Sequence, residues 1–189
     1  MLKGTKTEQN LLKAFAGESQ ARNRYSMYAS IAKKEGYEQI AEIFLQTAAN
    51  EYEHAKLFYR KLEGREVEIT ALYPAGIIGD TLENLEAAAN GEKDEAEVLY
   101  PEFTKTASEE GFDDIANLFS RIATIEEHHQ QRYLKLASNV KNKKIFYRDT
   151  EQEWLCLECG YIHFGKDAPK ECPVCAHPQA FYQLHIENY

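Results

Sequence analysis

No cysteine occurs before position 156, and all four lie between 156 and 175. No thiol is left elsewhere for a structural disulfide, which fits a reducing compartment. No stretch approaches the roughly 20 apolar residues that a membrane span needs. Met1 to Asn10 are polar, without the apolar core of a secretory leader, so a cytoplasmic protein is expected. Basic residues are outnumbered, 22 against 31 acids, which argues against nucleic acid or an anionic membrane as partner. No Gly-x-Gly-x-x-Gly follows a strand pattern, so a dinucleotide has no motif of its own here. What is present suits one substantial core plus a small extra module: 189 residues, 43% apolar and 28% charged.

The chain repeats itself. Lys34-Glu35-Gly36-Tyr37 returns as Glu109-Glu110-Gly111-Phe112, Ala41 and Phe44 return as Ala116 and Phe119, and Glu51/His54 returns as Glu126/His129, all at an offset of 75. Gly17-Glu18 answers to Gly91-Glu92 at 74, a one-residue slip, and Tyr25 and Tyr100 are back at 75. A Glu and a His three residues apart share one helix face and can address one metal ion. A single such pair is as well explained by a solvated helix face. A repeat that preserves turns, apolar positions and chelating pairs together is not explained by chance.

Helical apolar spacing predicts a first helix over residues 5–35, with Thr7 as N-cap and Gly36 just past its end. A second helix is expected over 37–63, stopping at Gly64. The short turn between them makes the two antiparallel neighbours. Residues 65–79, with Pro74, Gly76 and Gly79, read as a longer crossover. A third helix starts near Thr81 and a fourth near Asp113, and Pro101 should kink or split the third. Two tight hairpins joined by a crossover give a four-helix bundle of the ferritin-like type.

The residues expected to face inward at mid-depth are Glu18, Glu51, His54, Glu92, Glu95, Glu126 and His129. Five carboxylates in an apolar interior would each cost several kcal/mol to desolvate unpaired. Four of them balance two divalent ions, and the fifth helps to balance two trivalent ones. Carboxylate-rich ligation with two imidazoles suits iron or manganese better than zinc or copper.

Cys156-Leu157-Glu158-Cys159 and Cys172-Pro173-Val174-Cys175 are two C-x-x-C knuckles twelve residues apart, a spacing that specifies one tetrahedral four-thiolate site. Spacing alone does not choose between iron and zinc. Trp154, Tyr161, Phe164 and Phe181 are the expected aromatic core of this module, and His163, His177 and His185 are expected at its surface or in packing.

With these residues in place, the chain resembles the rubrerythrin family over essentially its full length. The resemblance implies a mainly α protein: a ferritin-like four-helix bundle over 1–148, followed by a small rubredoxin-like four-cysteine domain over 149–189. It implies Glu18, Glu51, His54, Glu92, Glu95, Glu126 and His129 as ligands of a di-iron site, with Glu51 and Glu126 bridging. It also implies an exchange of Glu95 and His54 on one iron with oxidation state, and Tyr25 and Tyr100 as supporting tyrosines. The similarity of Cys-x-x-Cys-Gly-Tyr and Cys-Pro-x-Cys to rubredoxin tips Cys156, Cys159, Cys172 and Cys175 towards iron. The implied total is three iron ions per chain.

The implied activity is reduction of hydrogen peroxide to water, as protection against oxidative stress. Electrons would come from rubredoxin or an NAD(P)H-linked reductase, and pass through the four-cysteine iron to the di-iron site. About 14 residues separate Glu126 from the end of the last helix, roughly 20 Å at 1.5 Å per residue. A head-to-tail homodimer, as in rubrerythrin-like proteins, would bring a partner's four-cysteine site closer. Residues 149–189 carry seven acids against two lysines, equally readable as a solubilising surface or as a docking face for a basic donor. Two other readings stand: an oxygen-consuming ferroxidase or iron-handling protein, and a non-catalytic bundle with a structural zinc ribbon.

Overall fold

In the computed structural model, which describes residues 1–188, two helical hairpins pack as a bundle and a small three-stranded module follows. Helix α1 (Lys6–Lys34) and α2 (Glu38–Tyr59) form the first hairpin. The second consists of α3 (Thr81–Asp94), a π turn (Glu95–Leu99), α4 (Tyr100–Glu109) and α5 (Asp113–Lys141). Residues 65–80, the crossover, contain no helix or strand. No described helix is long and apolar enough to cross a membrane.

The two hairpin turns are built alike. Gly36 and Gly111 take φ of 82° and 80°, the left-handed region that glycine enters without a Cβ penalty. Behind them Tyr37 N–H donates to Ala32 C=O (2.9 Å) and Phe112 N–H to Ala107 C=O (2.8 Å), closing each helix. Each turn also lends a carboxylate to the other hairpin. Glu110 accepts from the N–H of Lys6 and of Thr7 and from the Thr7 hydroxyl, while Glu35 accepts from Thr81 N–H. Both satisfy donors that a helix start leaves free.

Thr7 is therefore not the N-cap. Thr5 is, its hydroxyl accepting from Glu8 N–H at 3.1 Å, and Thr7 lies one turn inside. Helix α2 ends at Tyr59, four residues before the expected stop, and the chain continues as tighter turns through Leu62.

The split expected from Pro101 takes the form of the π turn, where Tyr100 N–H reaches back five residues to Glu95 C=O. This accounts for the slip in the repeat. Glu18 and Tyr25 are seven residues apart, two α-turns, whereas Glu92 and Tyr100 are eight apart. One extra residue would turn Tyr100 about 100° off the face, and the wider turn absorbs it.

Strands β1 (Tyr147–Cys156), β2 (Ile162–Asp167) and β3 (Tyr182–Leu184) form an antiparallel sheet in the order β2-β1-β3. Its core holds Trp154, Tyr182, Ala168, Cys156 and Cys172, with Tyr161 packed against it. Phe164 is 64% exposed, on the outer face of β2, so it does not belong to that core. Phe181, also expected there, is half-buried against His177, and its neighbour Tyr182 is the residue that enters the core. The module rests on the α1–α2 turn: Tyr37 stacks on Phe146 at 6.1 Å, and a Cβ on Gly36 would lie 3.6 Å from Ala180 Cβ.

Candidate metal centres

Four helical elements bring six of the seven inward candidates together. Glu18 (α1), Glu51 and His54 (α2) and Glu126 (α5) place one ligand atom each within 4.8 Å of one another, and so do Glu51, Glu92 (α3), Glu126 and His129. All six are buried. Glu51 and Glu126 belong to both sets, so the two lobes share those carboxylates. The His54 and His129 rings face each other at 6.1 Å.

Their polar atoms converge without pairing. His54 Nδ1 lies 2.9 Å from Glu51 and 3.0 Å from Glu126, and His129 Nδ1 lies 2.8 Å from Glu126 and 3.3 Å from Glu51. Yet both Nδ1 atoms, both oxygens of Glu51 and of Glu126, and one oxygen each of Glu18 and Glu92 are buried without hydrogen-bond geometry to any partner among the described residues. Such groups are costly unless something sits between them. Atoms aimed at common points rather than at each other suit two metal ions. The remaining oxygens of Glu18 and Glu92 are oriented by tyrosines: Tyr25 donates to Glu92 Oε1 at 2.7 Å, and Tyr100 donates to Glu18 Oε1.

The electrostatics of the bare site state the same need. Burial and the neighbouring Glu51 and Glu126 push the Glu18 and Glu92 carboxyls well above their usual range. Burial also raises Glu51, but the two imidazoles outweigh it and bring that carboxyl down to about 2. At His129 burial favours the neutral ring, but the Glu126 and Glu51 carboxylates win and raise it to about 9. Burial acts the same way on His54, where Glu126, Glu18 and Glu51 raise it well above the normal range. Without metal, protons supply the charge that cations would supply.

Glu95, the seventh candidate, joins neither set. It lies in the π turn, half-buried, and its carboxyl is pushed well up by burial and by Glu126 and Glu51, against the Arg24 guanidinium. It lines a cavity of about 800 Å³ with Gly17, Gly91, Arg24 and residues 70–74 of the crossover. The two glycines, partners in the repeat, make room there. A Cβ on Gly17 would stand 3.7 Å from Glu95 Oε1, and one on Gly91 3.3 Å from Arg24 Nη2. Arg24 and the crossover carbonyl it holds, Pro74 C=O at 3.2 Å, were not among the expected site residues. Nothing in their spacing marks them.

In the module, Cys156, Cys159, Cys172 and Cys175 place their sulfurs within 4.8 Å of one another, and all four are free thiols. The Cys156–Cys175 and Cys159–Cys172 separations are 3.7 and 3.6 Å. A tetrahedron with metal–sulfur bonds near 2.3 Å has edges of about 3.8 Å, so the four thiols fit a single ion. His177 packs edge-on against Phe181 and His185 contacts Glu153 at 2.7 Å, which leaves both outside the thiol cluster.

A ferritin-like bundle with paired Glu/His sets, carrying a four-thiol module, defines a class of two-domain non-haem iron proteins. A family model described as rubrerythrin matches residues 9–137, and one described as the rubredoxin-like domain of rubrerythrin matches residues 154–183. The chain belongs to the rubrerythrin family. It is 56% identical over 188 residues to a rubrerythrin of Porphyromonas gingivalis, covering 100% of this chain and 94% of that one. To a rubrerythrin of Nitratidesulfovibrio vulgaris it is 51% identical over 183 residues, covering 97% and 96%. A solved structure of fully reduced, all-ferrous nigerythrin aligns with a TM-score of 0.62 at 34% identity, over 98% of this chain and 92% of that one. A Desulfovibrio desulfuricans bacterioferritin, at 24% identity and a TM-score of 0.60 over 74% and 82% of the two chains, shares the bundle fold.

Proposed function

We propose that the protein is a non-haem di-iron peroxidase that reduces hydrogen peroxide to water. The observation that carries this is the pair of ligand sets sharing Glu51 and Glu126, with eight buried polar atoms aimed inward and unpaired. Glu18 and His54 would hold one ion, Glu92 and His129 the other, and Glu51 and Glu126 would bridge. Cys156, Cys159, Cys172 and Cys175 would hold a third. Iron in these positions supplies electrons one at a time, two at the paired site and one at the thiolate site.

The residues of the chain do the rest. Glu95, outside both sets and facing the cavity, would be the residue that exchanges with His54 as charge at the site changes. Its carboxyl borders the space where a small oxidant would arrive, placed to give or take a proton there. Tyr25 and Tyr100 fix the orientation of Glu92 and Glu18. The small module is the entry point for electrons from rubredoxin or an NAD(P)H-linked reductase, and a head-to-tail homodimer delivers them across subunits.

The test is stopped-flow reoxidation of fully reduced, iron-loaded protein, mixed in parallel with equimolar peroxide and with oxygen, following the visible bands of both centres. Faster reoxidation by peroxide, with two electrons consumed per molecule, is expected. Oxygen as fast or faster assigns the protein to the ferroxidase class instead. Zinc in the thiolate site of natively isolated protein removes the electron path.

A further inference from the structure

The internal repeat lets each half of the bundle serve as a control for the other, and the aromatic rings packed around Tyr25 and Tyr100 differ in one chemical respect. Around Tyr25 lie Tyr28, Phe44 and Tyr133, with ring centroids 6.2, 6.1 and 5.6 Å from it. Around Tyr100 lie Phe103, Phe119 and Phe58, at 6.2, 5.9 and 5.8 Å. Residue by residue at the offset of 75, Tyr28 matches Phe103, Phe44 matches Phe119, and Tyr133 matches Phe58. Phenyl rings therefore suffice for the shape. The additional hydroxyls sit on one side only, and that of Tyr133 is buried beside Thr47 without a well-formed hydrogen bond among the described residues, a cost that packing does not require. What a phenol adds to a phenyl ring is ease of oxidation.

The electron count gives that property a use. This step rests on the proposed peroxidase reading and its three irons. Each peroxide takes two electrons and two protons as its O–O bond breaks, giving two waters. A reduced chain holding three one-electron irons meets the first peroxide with electrons to spare and the second one electron short.

We propose that Tyr25, and not its repeat mate Tyr100, is a one-electron reserve for the paired site, supplying the missing electron when peroxide arrives faster than the donor can. Tyr25 gives up one electron, and its phenolic proton moves 2.7 Å to Glu92 Oε1. The product is a neutral tyrosyl radical, so the Arg24 guanidinium, 5.5 Å from the ring centroid, does not oppose it as it would a cation. The phenol rings of Tyr28 and Tyr133 stabilise an oxidised neighbour better than the phenyl rings around Tyr100. An electron arriving later, with the proton returning from Glu92, restores the phenol. The location favours that return. The Tyr25 cluster reaches the end of the bundle where Tyr37 and Ile145 pack and where Tyr37 stacks on Phe146, at the root of the module.

Fully reduced, iron-loaded protein freed of reductant is mixed with two equivalents of peroxide per chain, freeze-quenched, and examined by EPR while the visible iron bands are followed. A tyrosyl signal that narrows with ring-deuterated tyrosine is expected. It is lost in Tyr25→Phe and kept in Tyr100→Phe. In the double variant Tyr28→Phe/Tyr133→Phe, which places at both sites the residue already packed at 103 and 58, the signal persists with a shortened lifetime. A signal kept in Tyr25→Phe, lost in Tyr100→Phe, or unchanged in lifetime in the double variant overturns the proposal, as does oxidation of the irons with no radical. Iron bands that peroxide leaves unchanged overturn the peroxidase reading and the inference with it.

Discussion

Glu126 and Glu18 are both buried carboxylates of the paired site, but Glu126 contributes to both ligand sets and Glu18 to one. Their loss should therefore be read in metal stoichiometry. Glu126→Ala is expected to leave fewer than one iron per bundle and Glu18→Ala about one, with the thiolate iron unchanged in both; metal analysis after removal of loose iron checks this. Equal losses would mean that the lobes fill as a unit. The proton balance gives a second test on metal-free protein. Glu18 and Glu92 bind protons more tightly folded than unfolded, and His129 holds its proton up to about 9 instead of roughly 6.5. Each such group stabilises the fold below its unfolded pKa and loses that contribution as pH rises to the folded one. Glu51, lowered to about 2, acts oppositely, but its contribution is complete above pH 4 to 5. The thermal midpoint of the metal-free protein should thus fall steadily from about pH 5 to pH 9, and that of the metal-loaded form should not. Parallel curves for the two forms would place the stabilising protons elsewhere.

Among the elements, the hairpins and their glycine turns are legible in the sequence because apolar period, glycine and repeat agree there. The π turn is legible only as a discrepancy. The offset drops to 74 at Glu92 and recovers to 75 by Tyr100, but a slip does not say what backbone absorbs it. Glu95 lies in the inserted stretch, which is why the second half offers a carboxylate that the first half lacks. The shared caps are not legible in the sequence for another reason. Glu35 and Glu110 each bridge a separation no local pattern encodes, 46 and 103 residues for their contacts with Thr81 and Thr7. Deleting Ala96 within the π turn should restore a seven-residue spacing between Glu92 and Tyr100. The helix then runs on without a bulge, Tyr100 keeps its bond to Glu18, and Glu95 loses its place. The expected result is a folded bundle with a lower thermal midpoint by circular dichroism, because Pro101 then lies inside a continuous helix and clashes with the preceding turn, with altered visible bands at the paired site. Collapse of the fold would show that Pro101, rather than the inserted residue, dictates the bulge.

At the scale of the whole molecule, the four-cysteine module was the most legible part, since two C-x-x-C knuckles leave few alternatives. What its sequence did not disclose was where it rests, or that Tyr182 rather than Phe164 fills its core: alternation along a six-residue strand does not say which face is covered. The module sits on the α1–α2 turn, and the 14 residues from Tyr37 to Glu51 make roughly 20 Å of helix between its seat and the paired site. That separation makes the direction of electron delivery testable by complementation. Cys156→Ser removes a thiolate ligand and leaves the paired site; Glu126→Ala damages the paired site and leaves the module. Neither variant alone should sustain peroxide turnover with a reductase. If electrons cross between subunits of a head-to-tail dimer, dimers assembled from both variants contain one intact module facing one intact paired site. After random exchange about half the dimers are mixed and each has one working route, so turnover should recover to roughly a quarter of the unmodified level. If electrons instead travel along each chain's own 20 Å, no mixture recovers activity, because no single chain retains both ends of the route.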